Sequence, residues 1–289
     1  MTFTKELAGK TEYVNKWLEI LSSKGEGYHS KIFDCANYSI KAGGKRIRPI
    51  LAIAVCEMLG GNAEQVIPFA CAIEFIHTYS LIHDDLPCMD NDDLRRGMPT
   101  NHIKYGEAMA LLAGDTLLNY AFENIANAKA EPKLIVEMLK IISSASGANG
   151  MIGGQVVDIQ GAKTYEELIT MHKMKTGELI SVSAKVGAIA SGADSPQFEK
   201  ITAYAENLGL AFQIRDDLLD VEGDEEALGK PIGSDEVSGK CTFVNFLGID
   251  GAKLALNEYT TRAKQSLEIF GDKAEFLLDL ADYLLKRQK

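Results

Sequence analysis

The chain has 289 residues, and its 46% apolar content can supply the core of one large domain, while 25% charged residues argue against disorder. A net charge of −11 argues against nucleic-acid binding, because phosphate backbones require a positive surface. Five cysteines without Cys-x-x-Cys spacing indicate neither a disulfide framework nor a zinc site. With no basic-then-apolar signal segment and no uncharged apolar run of roughly 18 residues, we expect a cytoplasmic protein without a membrane span.

Apolar residues recur at helical spacing along most of the chain, which predicts an all-α protein. Strand-like alternation bounded by hairpin turns is largely missing. No linker rich in Gly, Pro or Ser interrupts the pattern, so we predict a single domain over residues 1–289. The predicted helices cover residues 7–21, 46–58, 64–86, 105–128, 132–148, 165–190, 196–221, 252–269 and 273–286.

The first glycine-rich, basic stretch opens the helix predicted over residues 46–58. It reads Gly43-Gly44-Lys45-Arg46-Ile47-Arg48-Pro49. A glycine pair followed by cations at a helix start can present backbone amides and positive charge to an anion. The alternative is an ordinary turn with a charged first helical turn, since glycine pairs commonly mark turns.

The helix predicted over residues 64–86 ends in a run of aspartates. Asp84 and Asp85 precede Pro87, and Asp90 follows it. A spacing of six residues is a poor helical repeat, but proline cannot continue a helix normally. We therefore expect the helix to end or bulge at Pro87, and a short loop to bring Asp90 back to the level of Asp84.

A second aspartate cluster lies near the end of the helix predicted over residues 196–221. Asp216 and Asp220 are four residues apart and share one helical face, with Asp217 one step round. Like charges at this spacing repel, and a cation would offset that cost. Both clusters end long apolar helices, so two facing helices could present them in a bundle core. Oxygen-only sites suit Mg²⁺ completed by substrate phosphates, although solvated acidic loops are the simpler alternative.

Cations follow each aspartate cluster, which is unexpected for a simple metal store. Arg95 and Arg96 come directly after the first cluster, and Lys230 and Lys240 follow the second. This combination predicts metal-bridged diphosphates, because Arg and Lys bind phosphate oxygens.

In the middle of the chain, Lys175-Thr176-Gly177 stands inside a helical pattern. A helical glycine costs about 1 kcal/mol relative to alanine, so we expect close packing or a bend there.

Together these motifs resemble the trans-prenyl diphosphate synthases, and the resemblance runs from about Gly43 to Gly248. The first cluster has the Asp-Asp-x4-Asp form common in bacterial farnesyl and plant geranylgeranyl synthases. The second cluster and the blocks at residues 153–158, 175–177 and 230–235 are similar to further family motifs. The resemblance implies an isoprenoid-synthase-type helical bundle around a central active-site cavity, a homodimer, and three Mg²⁺ ions per active site.

The resemblance also implies a role for each motif. The implied magnesium ligands are Asp84, Asp85, Asp90, Asp216, Asp217 and Asp220. The implied ligands of the allylic diphosphate are Arg95, Lys175, Gln213, Lys230 and Lys240, with Thr176 near the developing cation. Of these, the residues expected to act in catalysis are Arg95, Lys175, Thr176 and Gln213. The implied isopentenyl diphosphate ligands are Gly44, Lys45, Arg48, His77 and Arg96, and His77 lies two helical turns before Asp84.

Product length is expected to depend on Tyr79, with the small Ser80 beside it. Tyr79 lies five residues before Asp84, roughly 7.5 Å down the helix and about 140° beyond a full turn, so it is not directly below Asp84. We expect it to border a neighbouring channel, where its ring would limit depth. The alternative is a core tyrosine with a paired hydroxyl. In the resembling family a large residue here accompanies short products. We therefore expect farnesyl diphosphate (C15), with geranylgeranyl diphosphate (C20) as the alternative.

Three other functions are compatible with parts of the pattern. A terpene cyclase normally carries an Asn/Ser/Glu motif in place of the second aspartate cluster, which this chain retains. A non-catalytic subunit of a heteromeric synthase loses aspartates, and none is lost here. A di-iron protein would use paired Glu-x-x-His motifs, for which Glu74–His77 and Glu26–His29 are candidates. Glu26 stands between two glycines, so only one helical copy remains.

Overall fold

A computed structural model describes residues 2–22, 24–223 and 241–286. Contacts divide the chain into two compact units. The first comprises Met1–Ile53 and Ala63–Leu139, and the second comprises Ala54–Asn62 and Lys140–Lys289. This grouping does not test the prediction of a single domain, which stays a prediction.

The first unit is helical apart from one short hairpin. Its helices are α1 (Phe3–Leu21), α2 (Lys31–Lys41), α3 (Ile47–Met58, shared with the second unit), α4 (Ala63–Asp84), α5 (Asn101–Tyr105), α6 (Glu107–Ala126) and α7 (Pro132–Ser146, which begins in this unit). Its strands, β1 (Leu94–Arg95) and β2 (Met98–Pro99), pair antiparallel.

The second unit consists of helices in the residues that the structure describes. They are α8 (Met151–Gln160), α9 (Tyr165–His172), a π-helical turn (Lys173–Gly177), α10 (Glu178–Ala190), α11 (Ser195–Glu222), α12 (Phe243–Ser266), a 3₁₀ segment (Glu268–Ala274) and α13 (Glu275–Lys286). Helix α12 contains a break at Gly248, whose φ of 68° is in the left-handed region.

Helix α4 forms the core of the first unit, where it packs against α6 and contacts α1 and α2. Its side chains are buried on nearly every face, including Phe69, Phe75 and Ile76. Among the described residues it is the one helix with the length and apolar composition of a membrane span, and 72% of its apolar window is buried inside the structure. That burial is typical of a core helix, and the absence of a membrane span stays a prediction.

Helix α11 organises the second unit and runs for 28 residues. It begins with a capping box, in which the Asp194 side chain accepts from the Gln197 N–H and the Gln197 side chain accepts from the Asp194 N–H. Its apolar residues, among them Ile214 and Leu218, pack with Phe243 of α12 and Leu168 of α9 in one hydrophobic cluster. The C-terminal half of α11 is therefore held from two sides.

The all-α prediction is confirmed, because the described residues form helices and one hairpin of two-residue strands. Several boundaries were wrong. Helices α2 and α8 were missed because glycines interrupt the pattern around them, and the segment predicted as one helix over residues 165–190 contains the π-helical turn. Helix α12 begins nine residues before the predicted start, since the Thr242 side chain caps it at Asn245. The β1–β2 hairpin was not predicted.

Candidate active site

The first aspartate cluster has the backbone geometry that Pro87 predicts. Helix α4 ends at Asp84, and the Leu86 N–H already bonds three residues back, to the His83 carbonyl. The chain then turns, and the Asp90 N–H donates to the carbonyl oxygen of Asp84 at 2.8 Å. The predicted return of Asp90 to the level of Asp84 is confirmed.

The hairpin that follows places Arg95 and Arg96 at a tight turn. Arg95 pairs with Met98, which leaves Arg96 and Gly97 as the two central residues. Both have positive φ, 55° and 75°, as a type I′ turn requires. The turn thus gives the two adjacent arginines different surroundings.

Arg95 is bound to the first aspartate cluster. Its Nε donates to Asp85 Oδ1 at 2.7 Å, its Nη2 contacts the same oxygen, and Nη2 also donates to Asp92 at 3.3 Å. Asp85 is 3% exposed, and burial raises the pKa of its carboxyl even though Arg95 acts in the opposite direction. The ion pair holds the Asp85 carboxylate and the Arg95 guanidinium together in one geometry.

Arg96 instead contacts the glycine-rich loop. Its Nη1 donates to the carbonyl oxygen of Gly43. A Cβ built on Gly44 would lie 2.6 Å from that Nη1 atom, so a side chain at Gly44 would collide with the guanidinium. Gly44 also has a φ of 138°, which favours glycine. The structure therefore brings together two members of the predicted isopentenyl diphosphate site.

His77 lies within a group of arginines. Burial lowers the pKa of this imidazole well below its usual range, and the neighbouring charges of Arg48, Arg96 and Arg95 lower it further. His77 is therefore neutral near pH 7 and can donate one hydrogen bond without adding charge. Lys45 of the same predicted set is exposed.

In the second unit the predicted bend at Gly177 is confirmed as a π-helical turn, Lys173–Gly177. Such turns are rare and occur frequently at functional sites. A Cβ on Gly154 of α8 would lie 2.2 Å from the Lys175 backbone nitrogen, and a Cβ on Gly209 of α11 would lie 3.1 Å from the Gly177 Cα. The predicted close packing is confirmed as well, because two helices press their glycines against this turn.

The turn is joined to the second aspartate cluster by side-chain hydrogen bonds. Thr176 Oγ1 donates to Gln213 Oε1 at 3.2 Å, and Gln213 Nε2 donates to Asp217 Oδ1 at 3.3 Å. The other oxygen of Asp217 accepts from the Phe243 backbone N–H at 2.7 Å. Three predicted site residues, Thr176, Gln213 and Asp217, are thus brought together.

Lys175 and His172 complete the surroundings of the π-helical turn. Lys175 Nζ lies 2.5 Å from Asp158 Oδ2. The His172 ring stacks on the Phe243 ring, with centroids 5.2 Å apart and an angle of 16°. Burial lowers the pKa of His172 to about 4; the nearby Asp158 acts against this shift and Lys175 adds to it. Asp158 was noted only within a family block, and no sequence pattern indicated Phe243 or His172.

The remaining predicted residues are placed as follows. Asp217 and Asp220 are each 3% exposed, and Asp216 is half-buried on the same helix. Tyr79 is 5% exposed, and the Ser80 hydroxyl donates to the His77 carbonyl at 2.9 Å. Lys230 and Lys240 lie outside the described residues. The functional roles of all these residues stay predictions.

The aspartates fit magnesium by their chemistry. Among the described residues, no three His, Cys, Asp or Glu side chains form a ready-made metal site. Mg²⁺ does not require one, because it usually takes one or two carboxylates and completes its octahedron with waters and substrate phosphates. The backbone hydrogen bond from Asp90 to Asp84 brings two aspartates to the same level of the first unit, as a pair of magnesium ligands requires. In the second unit, α11 carries Asp216 as a further candidate ligand.

The di-iron alternative is excluded by the surroundings of Glu74. Its Oε1 accepts from Arg46 Nη1 at 2.8 Å, and both side chains are buried. Arg46 already neutralises Glu74 in the core, and a di-iron site also requires a second Glu-x-x-His motif on a helix. The second candidate motif, Glu26–His29, lies in a turn before α2 rather than on a helix.

Comparison with known proteins agrees with this geometry. The sequence matches the family described as polyprenyl synthetase over residues 29–274. It is 42% identical to a farnesyl diphosphate synthase of Micrococcus luteus over 99% of both chains. It is 46% identical to a geranylgeranyl diphosphate synthase of Cyanophora paradoxa over 89% of this chain and 87% of that one.

The structure is also similar to a geranyltransferase of Helicobacter pylori complexed with magnesium and isoprenyl diphosphate. The TM-score is 0.86 at 37% identity, over 99% of this chain and 97% of that one. The similarity extends over the whole chain, so it covers both aspartate clusters and both groups of cations. This chain therefore belongs to the polyprenyl synthetase family and is a prenyltransferase, a trans-prenyl diphosphate synthase.

Proposed function

We propose that this synthase condenses isopentenyl diphosphate with dimethylallyl or geranyl diphosphate, and that its main product is farnesyl diphosphate. The similarity to farnesyl diphosphate synthases over nearly the full chain supports the reaction. The buried ring of Tyr79 on α4 is the observation that carries the proposed product length.

In this proposal the two aspartate clusters hold magnesium, and the implied number is three ions per active site. When bound, magnesium stabilises negative charge on the departing diphosphate. Asp84, Asp90 and Asp216 would supply ligands, together with the more buried Asp85, Asp217 and Asp220. Two of these buried carboxylates are oriented by the hydrogen bonds from Arg95 and from Phe243.

The side-chain cations then have two distinct tasks. Arg95 and Lys175, with Lys230 and Lys240, balance the charge of the allylic diphosphate as its carbon–oxygen bond breaks. Thr176 and Gln213, which are hydrogen-bonded to each other, place oxygen dipoles near the allylic cation. The double bond of isopentenyl diphosphate attacks that cation. The released diphosphate takes the proton that is then lost.

The second substrate is held by Gly44, Lys45, Arg48, His77 and Arg96. Lys45, Arg48 and Arg96 provide the positive charge of this subsite. None of the aspartates of the two clusters belongs to it, so it binds diphosphate without metal. A neutral His77 fits this task, because it can donate a hydrogen bond to a phosphate oxygen while the arginines supply the charge.

Product length is proposed to depend on Tyr79, whose ring would limit the depth of the channel into which the product chain grows. Its ring packs edge-to-face on His83, with centroids 5.6 Å apart. The hydroxyl has no hydrogen-bond partner among the described residues, and burial, with a smaller effect of Asp84, raises its pKa to about 12. A core tyrosine kept for its hydroxyl would normally be paired. The unpaired hydroxyl therefore supports a role for the bulk of the ring.

A product assay with radiolabelled isopentenyl diphosphate and varied allylic starters tests this proposal. We expect C15 from the wild type and C20 or longer from Tyr79→Ala, with turnover retained. Tyr79→Phe is the matched control, because it keeps the ring and should still give C15. A wild type that makes mainly C20, or a Tyr79→Ala variant that stops at C15, would show that Tyr79 does not limit the product.

Geranylgeranyl diphosphate is the second candidate product. The relative from Cyanophora paradoxa, a geranylgeranyl diphosphate synthase, is 46% identical to this chain and supports it. The same product assay separates the two, since a C20 synthase would accept farnesyl diphosphate as a starter and a C15 synthase would not.

We further propose a cytoplasmic homodimer that does not bind nucleic acid. Helix α6 supports an interface, because Leu111 and Leu112 are 47% and 50% exposed on its surface, and Ile103 before it is 53% exposed. The five cysteines are free thiols, as expected in a reducing compartment. Light scattering would test the dimer, and cell fractionation the location.

A further inference from the structure

Arg46 lies between two predicted ligands of isopentenyl diphosphate, Lys45 and Arg48, yet its own side chain is only 2% exposed. Its Nε donates to Asn15 Oδ1 at 2.9 Å, and its Nη1 donates to Glu74 Oε1 at 2.8 Å. A guanidinium with this burial and these acceptors is poorly placed to bind a substrate phosphate directly.

The same side chain also caps a helix. Its Nη2 donates to the carbonyl oxygen of Ile40 in the last turn of α2, at 2.6 Å. A cation there stabilises the negative end of the helix dipole. The Arg46 carbonyl in turn accepts the Ile50 N–H at 3.0 Å and so starts α3. One residue therefore ties together α1, α2, α3 and α4.

The backbone of Arg46 is in an uncommon conformation, with a φ of 52°. Left-handed φ is rare for arginine, and such a residue persists only where the surrounding structure holds it in place. The three side-chain hydrogen bonds provide that hold. The two glycines before it, Gly43 and Gly44, also have positive φ, so the whole loop depends on conformations that the sequence alone does not favour.

Glu74 connects this loop to the rest of the predicted subsite. It lies on α4 one helical turn before His77, and it is 2% exposed. A buried carboxylate requires a partner with good geometry, and Arg46 supplies it. The pair therefore fixes the distance between the segment that carries Lys45 and Arg48, at the start of α3, and the helix that carries His77.

We propose that Arg46, with Glu74, is a positioning residue for the isopentenyl diphosphate subsite and touches neither substrate. The inference rests on the proposed function of that subsite. Loss of the pair should displace Lys45 and Arg48 from His77, and so weaken isopentenyl diphosphate binding while leaving the allylic diphosphate site unaffected.

The deciding variant is the double replacement Arg46→Met/Glu74→Leu. Replacing a buried ion pair by apolar residues of similar volume is often neutral for stability, whereas removing one partner is strongly destabilising. The double variant should therefore fold with a modestly lower Tm, because it loses the hydrogen bonds to Asn15 of α1 and Ile40 of α2. We expect a rise of roughly tenfold or more in the KM for isopentenyl diphosphate, and a change of less than about twofold in the KM for geranyl diphosphate.

Arg46→Lys gives a second test that keeps the charge and so the fold. Lysine can pair with Glu74 but cannot also reach Asn15 and Ile40 as a fork, so it should raise the same KM by a smaller factor. If the double variant does not fold, this variant decides. Tyr204→Phe is the stability control, because it removes one buried hydrogen bond, from Tyr204 to Leu277, far along the sequence from the loop.

Calorimetry with isopentenyl diphosphate in excess EDTA gives a readout independent of turnover. We expect weaker binding in both Arg46 variants and wild-type binding in Tyr204→Phe. Unchanged KM and unchanged binding in a folded Arg46 variant, or equal rises for both substrates, would overturn the positioning role. A wild-type protein that neither binds nor consumes isopentenyl diphosphate would overturn the proposed function instead.

Discussion

The two aspartate clusters contain the same residue type on different supports. In the first unit, Asp84 is the last residue of α4, and a loop closed by the Asp84–Asp90 backbone hydrogen bond returns the third aspartate. In the second unit, Asp216, Asp217 and Asp220 lie within the continuous helix α11. A loop site is set by its turn and its proline, whereas a helix site is set by the packing of the whole helix.

The cations of the two units also differ in their supports: a hairpin and a loop in the first unit, a helical turn in the second. Those of the first unit are mainly arginines, held by a type I′ hairpin and by a loop of positive φ. In the second unit, Lys175 is the predicted diphosphate ligand that lies within the described residues, on a π-helical turn against which glycines of α8 and α11 pack. Arginine binds phosphate with a planar fork and lysine with a point charge, so Arg95 and Lys175 would bind phosphate oxygens in different ways.

The first prediction has the largest expected effect on kcat and is the same for both aspartate clusters. Asp84→Asn and Asp216→Asn should each lower kcat by roughly 10³-fold, because each removes several kcal/mol of charge stabilisation while keeping the side-chain shape. Steady-state kinetics with titrated Mg²⁺ measures this. Glu123→Gln, at an exposed position of α6, is the control and should be neutral.

The outcome can separate the clusters. A variant of either aspartate that keeps full turnover would show that only the other cluster supports catalysis. Full wild-type activity in excess chelator would refute the magnesium dependence of both.

A second prediction concerns the packing of glycines around the π-helical turn of the second unit. Gly154→Ala would place a methyl group 2.2 Å from the Lys175 backbone nitrogen and displace the π-helical turn. Misplacement by about 1 Å can cost roughly 10²-fold in rate, and we expect a loss of kcat/KM of that order for geranyl diphosphate.

The matched control is Gly9→Ala on α1, where a Cβ meets nothing within 4 Å. It should keep activity and stabilise the helix by about 0.5–1 kcal/mol. If Gly154→Ala behaves like Gly9→Ala in kinetics and in Tm, the position of the turn does not limit catalysis.

Substrate choice is the third prediction. Arg48→Ala should raise the KM for isopentenyl diphosphate by roughly 30-fold, since charge-assisted hydrogen bonds contribute about 2 kcal/mol. Lys175→Ala should instead affect geranyl diphosphate. Varying each substrate at saturation of the other measures the split. Equal effects of Arg48→Ala on both substrates would refute the assignment of Arg48 to isopentenyl diphosphate.

The prediction with the smallest effect concerns the pH dependence of stability and the two histidines with a lowered pKa, His172 and His77. His172 has its pKa lowered to about 4 by burial, from an unfolded value of 6.5. Between pH 6.5 and 4 the imidazole binds a proton in the unfolded chain but not in the folded one. The contribution of His172 to the free energy of unfolding therefore falls as the pH decreases from 6.5 towards 4. Between pH 7.0 and 5.5 this amounts to about 1 kcal/mol.

Urea unfolding of His172→Phe at both pH values checks this prediction. The variant should lose about 1 kcal/mol less stability than the wild type between pH 7.0 and 5.5, because phenylalanine cannot take up the proton. An equal loss of stability in the variant and the wild type between the two pH values would show that the pKa of His172 is not lowered by folding. His77, whose pKa is lowered by burial and by arginines, would then be the remaining source of acid sensitivity among the two.

Much of the site was predictable because its signals are local. Asp216 and Asp220 share a face as soon as α11 is a helix, and helical spacing of apolar residues predicts that helix. The return of Asp90 follows from Pro87, whose ring cannot continue α4. The bend at Gly177 was indicated by a glycine in a helical pattern. In each case the cause lies within a few residues of its effect.

The rest depends on residues far apart in the sequence. The all-α fold, the two aspartate clusters and the family could be predicted from the sequence, since these follow from periodicity, spacing and local turn chemistry. The three-dimensional packing was needed to show that Arg46 turns to Asn15, Ile40 and Glu74 rather than to a substrate, and that Asp217 is held by Phe243. These partners lie up to 31 residues away, and buried polar groups choose partners by three-dimensional packing, for which a single sequence carries no periodic signal.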